Sequence, residues 1–197
     1  MLRIRHIAAI VALQALPISN AVSQGAMRVA PSGHAITEVT LTLVDSVARA
    51  AAKPAVIRID YGQPHLRGRM LHTDSLLPYD SVWRTGANAP TTLTTDVDLV
   101  VGGANIPKGT YLLRSIPRRS GWTLIVEKDT RSSPAGNLPD YKRENDVARI
   151  ELQRTSRAAA LESFTMWLIP SREPGTPRGE LVMAWGTTVL STPWSMR

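Results

Sequence analysis

The clearest strand pattern of the chain lies in DLVVGGANIPKGTYLLRSIPRRSGWTLIVEK, residues 98–128, where short apolar runs alternate with turn residues. Gly102, Gly103 and Gly109 supply turn positions at which the backbone can take a positive φ. In the last run, WTLIVEK, the apolar residues Trp122, Leu124 and Val126 alternate with Thr123, Ile125 and Glu127. Half-buried antiparallel strands give this pattern, since successive side chains point to opposite faces of a sheet.

The same period of two recurs outward in both directions, in the runs VTLTLV (39–44), VIRIDY (56–61) and ELVMAW (180–185). A proline- and glycine-rich segment at 169–180 predicts an exposed loop. These strands predict an all-β fold, a single antiparallel β-sandwich.

The helical signal is limited to one or two short turns. The first lies at 45–54, with Asp45 or Ser46 as the N-cap and Pro54 beyond the end, and the second lies at 139–145. We expect the β-sandwich domain to span residues 36–197, after a flexible N-terminal lead-in at 24–35.

Composition narrows the class of protein. The chain has 197 residues, of which 43% are hydrophobic, and this is enough for one domain with its own core. It contains no cysteine, which excludes disulfides, thiolate metal ligands and cysteine nucleophiles. A lipid-anchored lipoprotein is also excluded, because its processed N-terminus needs a cysteine to carry the acyl chains.

The N-terminus has the layout of a secretory signal peptide at residues 1–23. Arg3 and Arg5 precede the ten-residue apolar run IAAIVALQAL, and small residues then lead to a cleavage site after Ser23. That run is shorter than the ~20 residues needed to cross a bilayer. We therefore expect a periplasmic or extracellular protein with no membrane span after signal cleavage.

Charge predicts no nucleic-acid partner. The formal net charge is +7 at pH 7, but the basic residues are spread along the chain, with short clusters such as Arg118–Arg119. A nucleic-acid-binding surface usually shows a basic stripe or patch with interleaved aromatic residues. The mixed surface is more typical of a soluble protein.

No established catalytic motif is present. The chain has no G-x-S-x-G, no H-E-x-x-H and no glycine-rich phosphate loop before a helix, so no cofactor is expected. His65, His72 and Asp74 share one stretch and form a possible ligand set for zinc. Their spacing matches no rigid template, so solvated or surface-packed side chains are the alternative.

The stretch VWRTGANAPTT, residues 82–92, allows two interpretations. As a scaffold, Trp83 would close the open end of the sandwich and Arg84 would bind loop carbonyls or a carboxylate such as Asp60 or Asp80. As a binding site, side chains from several loops would converge in a polar, cationic pocket for an anionic or polyhydroxylated ligand. The candidate ligand-binding residues are Arg67, Arg69, Tyr79, Trp83, Arg84 and Asn88.

Several stretches in order resemble one protein family: DYGQPHLRGR, LLPYDSVWRTGANAPTTL, IPKGTYLLRSIP, GWTLIVEKD and YKRENDVARIEL. The chain resembles the exported bacterial family DUF2911 over residues 56–185, and its most specific motif is PYDSVWRTGAN. The resemblance implies a β-rich secreted or periplasmic protein. It brings no reaction, cofactor or ligand, and His72 is not part of the shared pattern.

Together these features predict a non-catalytic binding module for a carbohydrate or another cell-envelope component. A hydrolase-type enzyme is the first alternative, with a site in the 61–88 loops that uses Asp74, Asp80 or a histidine. A structural envelope protein without a small ligand is the second. The sequence leaves the oligomeric state open.

Overall fold

The computed structural model describes residues 26–133 and 136–197, so the predicted signal peptide at 1–23 lies outside the described residues. The described residues form one short helix, α1 (Ser46–Ala51), one 3-10 turn at Arg143–Asn145, and nine strands. The strands are β1 (Ser32–Leu41), β2 (Ala55–Pro64), β3 (Thr92–Thr95), β4 (Leu99–Val101), β5 (Ala104–Ile106), β6 (Gly109–Pro117), β7 (Trp122–Lys128), β8 (Asp146–Pro170) and β9 (Arg178–Met196).

All nine strands belong to one antiparallel sheet in the order β1-β2-β3-β6-β7-β8-β9-β4-β5. The 25-residue strand β8 pairs with β7 up to Leu152 and with β9 from Gln153 onward. Its register shifts twice, after Ser156 and after Leu161. Such irregularities bend a strand, and β8 passes from one layer to the other. The predicted all-β sandwich is therefore confirmed, with its two layers built from one sheet that folds over.

The second half of β8 lies against β1 and β2, which closes this side of the sandwich. The backbone N–H of Leu168 donates to Oγ1 of Thr37 at 2.9 Å, and the N–H of Met166 donates to the Tyr61 hydroxyl at 2.9 Å. Burial raises the pKa of Tyr61, which keeps this phenol protonated. The side-chain oxygens of Thr37 and Tyr61 thus accept hydrogen bonds from backbone N–H groups of β8 that would otherwise lie unpaired at a strand edge.

The core lies between the two layers and contains the predicted apolar face of β7, Trp122, Leu124 and Val126. The opposite face of β7 is also buried, because the segment after β7 covers it. There the Arg114 guanidinium donates from Nε to Glu127 Oε2 at 2.6 Å and from Nη2 to the Pro139 carbonyl at 2.5 Å. The polar side of this strand therefore holds a buried ion pair instead of facing solvent.

Both predicted helical turns are present. In α1, Asp45 is the N-cap and its Oδ1 accepts from the Ala48 N–H at 2.8 Å, and the 3-10 turn at Arg143–Asn145 falls within the predicted 139–145. The lead-in predicted at 24–35 is too long, because β1 begins at Ser32 and residues 32–35 pair with the end of β2. Within 26–133 and 136–197, no helix has the length and apolar character to span a bilayer.

Candidate functional site

Two glycines bring the corner at 82–92 against β2. The Ala87 N–H donates to the Gly62 carbonyl at 3.1 Å, and a Cβ on Gly62 would lie 1.5 Å from the Ala87 carbonyl oxygen. A Cβ on Gly86 would lie 2.6 Å from Thr91 Oγ1 and 2.9 Å from the Gly62 oxygen. Close backbone approach requires glycine at both positions, and the φ of Gly86 is not positive.

The corner is also hydrogen-bonded to β6, through an isolated β-bridge between Trp83 and Ser115. Trp83 and Ser115 exchange two backbone hydrogen bonds of 2.8 and 2.9 Å. The buried Thr85 hydroxyl donates to Ser115 Oγ at 3.0 Å, and the Thr91 hydroxyl donates to the Thr85 carbonyl at 2.9 Å. These bonds fix the backbone on both sides of Arg84.

The Trp83 ring closes one end of the core, as the scaffold interpretation requires. Its centroid lies 5.0 Å from that of Phe164, 5.8 Å from that of Trp185 and 6.2 Å from that of Trp122. The Trp185 contact is stacked and the other two are edge-on, which are the favoured geometries for aromatic pairs. Trp83 is half-buried, and its packing leaves little of the ring for a ligand.

Arg84 braces the corner and also lines a pocket. Its Nη1 donates to the Asn88 carbonyl at 3.0 Å, while the side chain remains exposed. Together with Asn88 it lines a pocket of about 440 Å³, in which the loop after β7 forms the other wall. The remaining lining residues are Ala89, Pro90, Gly136, Asn137 and Leu138. One guanidinium and two carboxamides thus face a cavity whose described lining contains no acidic side chain.

Tyr79 lies at the same end of the sandwich but is engaged in packing. Its ring stacks on His72 with centroids 4.2 Å apart, and the Arg119 guanidinium lies 4.8 Å from its centroid. His72 in turn packs edge-on against Trp122, and its Nδ1–H donates to the Leu77 carbonyl at 3.3 Å. Burial, more than the nearby arginines, lowers the pKa of His72. The neutral imidazole is therefore the favoured form.

Arg67 and Arg69 do not reach the Arg84 pocket. The Arg69 guanidinium donates to the carbonyls of Leu66 and His65 at 2.9 and 2.8 Å and so holds its own turn. The Arg67 backbone N–H donates to Glu162 Oε1 at 2.6 Å, whereas its guanidinium is exposed and has no partner among the described residues. Of the predicted binding residues, the structure brings together Arg84 and Asn88 only.

The candidate metal ligands are also separated. His65 Nδ1 lies 2.8 Å from Ser163 Oγ, His72 bonds to Leu77, and Asp74 is exposed. In the part of the chain that the structure describes, no three histidine or acidic side chains are grouped closely enough to hold a metal ion.

His65 and Ser163 are hydrogen-bonded side chains of the types that can form a nucleophile–base pair, and sequence reasoning missed them. The two residues face each other across an isolated β-bridge 98 positions apart in sequence, so no local motif reveals them. A catalytic pair of this kind needs a third group to orient the imidazole. Within 26–133 and 136–197, nothing binds His65 Nε2, and the contact is a hydrogen bond between paired strands.

Backbone strain is concentrated in this region. Six non-glycine residues have φ between 54° and 62°, and within the described ranges no other non-glycine residue has a positive φ. They are Arg67, His72, Leu77, Asp80, Thr85 and Asn88. For the branched Thr85 and the bulky Leu77 this conformation is a genuine outlier. Such strain persists only where the surroundings enforce it, and it clusters at functional sites.

A family model described as a protein of unknown function, DUF2911, matches residues 45–193. The chain belongs to this family. The predicted resemblance to DUF2911 is therefore confirmed, and the match spans the whole corner and both walls of the Arg84 pocket. No curated protein and no solved structure matches the chain. Membership of DUF2911 establishes no activity.

Gly136, Asn137 and Leu138 are the pocket residues that the sequence did not indicate. They follow β7 in an irregular segment, 48 or more positions after Asn88, and none belongs to a periodic pattern. Only the path of the segment after β7 over the outer face of the sheet places them beside Arg84.

Proposed function

We propose that this DUF2911 protein is an exported, non-catalytic binding module whose Arg84 pocket takes a carboxylated carbohydrate of the cell envelope. The observation that carries the proposal is the pocket of about 440 Å³ in which Arg84, Asn88 and Asn137 meet. Its size falls within the ~300–1,000 Å³ typical of small-molecule sites.

The lining matches the chemistry of an acidic sugar. The planar guanidinium of Arg84 uses one nitrogen to bond the Asn88 carbonyl, and its remaining N–H groups suit a carboxylate. The carboxamides of Asn88 and Asn137 can each donate to and accept from sugar hydroxyls. Pro90 and Leu138 supply apolar contact for the C–H face of a sugar ring.

The same lining argues for binding and against reaction. Among the described residues of the pocket there is no serine, histidine, aspartate or glutamate to act as nucleophile, acid or base. The backbone bonds around Trp83 and Thr85 hold the pocket wall in place before any ligand arrives, and preorganisation of this kind lowers the entropic cost of binding.

The test measures binding of uronic-acid oligosaccharides and of muramic-acid fragments, with neutral oligosaccharides of equal length as the comparison. We expect saturable binding of an acidic ligand that weakens at least tenfold in Arg84→Gln, because a charge-assisted, bidentate contact is lost. Arg84→Lys keeps the charge but not the planar fork, and it should restore only part of the affinity.

Arg172→Gln is the matched control, since Arg172 is an exposed arginine in the loop after β8 and lies outside the pocket. Urea unfolding of each variant separates lost binding from lost folding. Failure of every acidic glycan to bind the wild-type protein would overturn the proposal, as would equal losses in Arg84→Gln and Arg172→Gln.

A further inference from the structure

A second cavity lies at the opposite end of the sandwich. It has a volume of about 360 Å³, and one wall is the segment from Leu41 to Val44. Ala55, the first residue of β2, lines it, whereas Pro64, the last residue of β2, leads into the loops of the Arg84 end. A strand of ten residues separates the two ends by about 30 Å. The two cavities are therefore independent sites.

The lining of this cavity is aliphatic. Apart from Thr42 and two cations, the lining side chains are hydrocarbon, proline or thioether: Leu41, Leu43, Val44, Ala52, Pro54, Ala55, Val97, Pro177 and Met196. Among the described lining residues there is no aromatic ring to stack on a sugar or a base. The scarcity of polar partners disfavours a peptide, whose buried amides need hydrogen bonds. An acyl chain needs none.

The segment beside the cavity is unusually apolar for a surface. Leu43, Val44 and Val47 are 52%, 96% and 78% exposed, and α1 has no buried residue. Contiguous exposed patches of large apolar side chains mark interaction or ligand-binding sites, unlike singly scattered apolar residues. Two of the three residues line the cavity, so the exposed surface and the cavity form one apolar site.

The charge of the rim identifies the polar end of the ligand. Arg49 and Lys53 are the only ionisable side chains in the described lining, and both are cationic. Among the described residues, the Arg49 guanidinium makes only long bonds, from Nη1 to the carbonyls of Leu43 and Val44 at 3.5 and 3.4 Å. The Lys53 ammonium has no partner within the described residues. An anion at the mouth of the cavity would therefore meet two available cations.

We infer that this cavity binds a fatty acid, with the acyl chain among the aliphatic side chains and the carboxylate between Arg49 and Lys53. Aliphatic walls select the chain, and the two cations select a carboxylate over an alcohol. This site does not depend on the Arg84 pocket, and either proposal can fail while the other stands.

The experiment titrates the full chain with octanoate, decanoate and dodecanoate below their micelle concentrations, by calorimetry. We expect one saturable site whose affinity rises about fourfold with each added methylene, the increment for burying CH₂ groups. Dodecanol should bind more weakly than dodecanoate. That difference should shrink at high salt, because the rim is exposed and screened.

Two pairs of variants locate the ligand. Ala52→Trp fills the cavity from its wall and should abolish dodecanoate binding, whereas Ala50→Trp, on α1 but outside the lining, should not. Arg49→Gln and Lys53→Gln should each weaken dodecanoate about two- to fivefold, as expected for exposed ion pairs, and leave dodecanol unchanged. Arg157→Gln is the charge control, because Arg157 is exposed and lies outside the cavity.

Absence of saturable dodecanoate binding to the wild-type protein would overturn the inference. Equal effects of Ala52→Trp and Ala50→Trp would also overturn it, since the ligand would then lie elsewhere. If dodecanol and dodecanoate bind equally in every variant, the assignment of the carboxylate to Arg49 and Lys53 is wrong. Binding of acidic glycans is measured separately and bears only on the Arg84 pocket.

Discussion

Replacing Trp83 by alanine tests whether this ring holds the corner in place. Truncating a buried tryptophan usually costs about 3–5 kcal/mol of unfolding free energy through lost burial and a residual cavity. Trp83 is only half-buried, which lowers the cost, but it contacts three aromatic rings at 5.0–6.2 Å, and such pairs each add about 0.5–1.5 kcal/mol beyond burial. We expect a loss of about 3 kcal/mol.

Urea unfolding followed by far-UV circular dichroism measures this loss without depending on tryptophan fluorescence. For a chain of this size, about 3 kcal/mol corresponds to a fall in Tm of about 6–12 °C. Trp83→Phe should recover roughly half of the stability, since it keeps an aromatic ring beside Phe164. The control is Trp167→Ala, because Trp167 is 37% exposed, and its loss should stay below about 1 kcal/mol.

A loss below about 1 kcal/mol in Trp83→Ala would refute the packing argument. The ring would then contribute little to the core, and the strained corner would owe its conformation to its hydrogen bonds with Ser115, Thr91 and Gly62. Trp83→Ala and Trp167→Ala with equal losses would lead to the same conclusion.

Three further predictions concern other parts of the scaffold. Glu127→Gln should lower the free energy of unfolding in urea by about 3–5 kcal/mol, because it leaves the buried Arg114 charge unpaired. Replacing both Arg114 and Glu127 by aliphatic residues should cost much less. Equal losses in the single and the double variant would contradict this prediction. Burial lowers the pKa of His72, so this side chain takes up a proton on unfolding at acidic pH, and the free energy of unfolding should fall as pH drops below about 6.5. His72→Asn should flatten that fall. An unchanged pH dependence in the variant would contradict the prediction. Gly62→Ala should displace the corner, because its Cβ would meet the Ala87 carbonyl at 1.5 Å; a wild-type Tm with intact acidic-glycan binding would rule this out.

The strands were predictable wherever one face of the strand is apolar and the strand keeps the same neighbouring strand along its whole length. The run from Trp122 to Lys128 is β7 in the structure, and the turn signals at Gly102, Gly103 and Gly109 fall where the chain reverses or begins a strand. The burial of Thr123 and Glu127 was not predictable from periodicity, because it depends on a distant irregular segment that covers the outer face.

The length of β8 illustrates a second limit. Alternation breaks between Ser156 and Thr165, where the register shifts and the strand changes layers. An alternating sequence pattern shows which face of a strand is buried, so it cannot show that one strand belongs to both layers of the sandwich. The early start of β1 has a similar cause, since residues 32–35 lack an apolar alternation and are held by pairing with β2.

The site was predicted in part. Arg84 and Asn88 lie together because they are four residues apart in one corner, and Arg84 binds a loop carbonyl as the scaffold interpretation expects. The expected convergence with Arg67, Arg69 and Tyr79 does not occur. Residues such as Leu77 and Thr85 take left-handed conformations that their side chains disfavour. The chain changes direction at these residues, and their local conformational preferences do not predict it.

The contact between β1 and the second half of β8 has a consequence for how this molecule forms. The Leu168–Thr37 and Met166–Tyr61 hydrogen bonds join residues 131 and 105 positions apart. Contacts of such separation must wait until most of the chain is present and ordered, and folds dominated by them form slowly. A nascent chain that has made only β1 to β7 can pair β1, β2, β3, β6 and β7, while the β4–β5 hairpin still lacks its partner β9. The apolar face of that layer is then not yet covered by β8 and β9. During that interval the uncovered apolar surface and the unpaired strand edge favour aggregation.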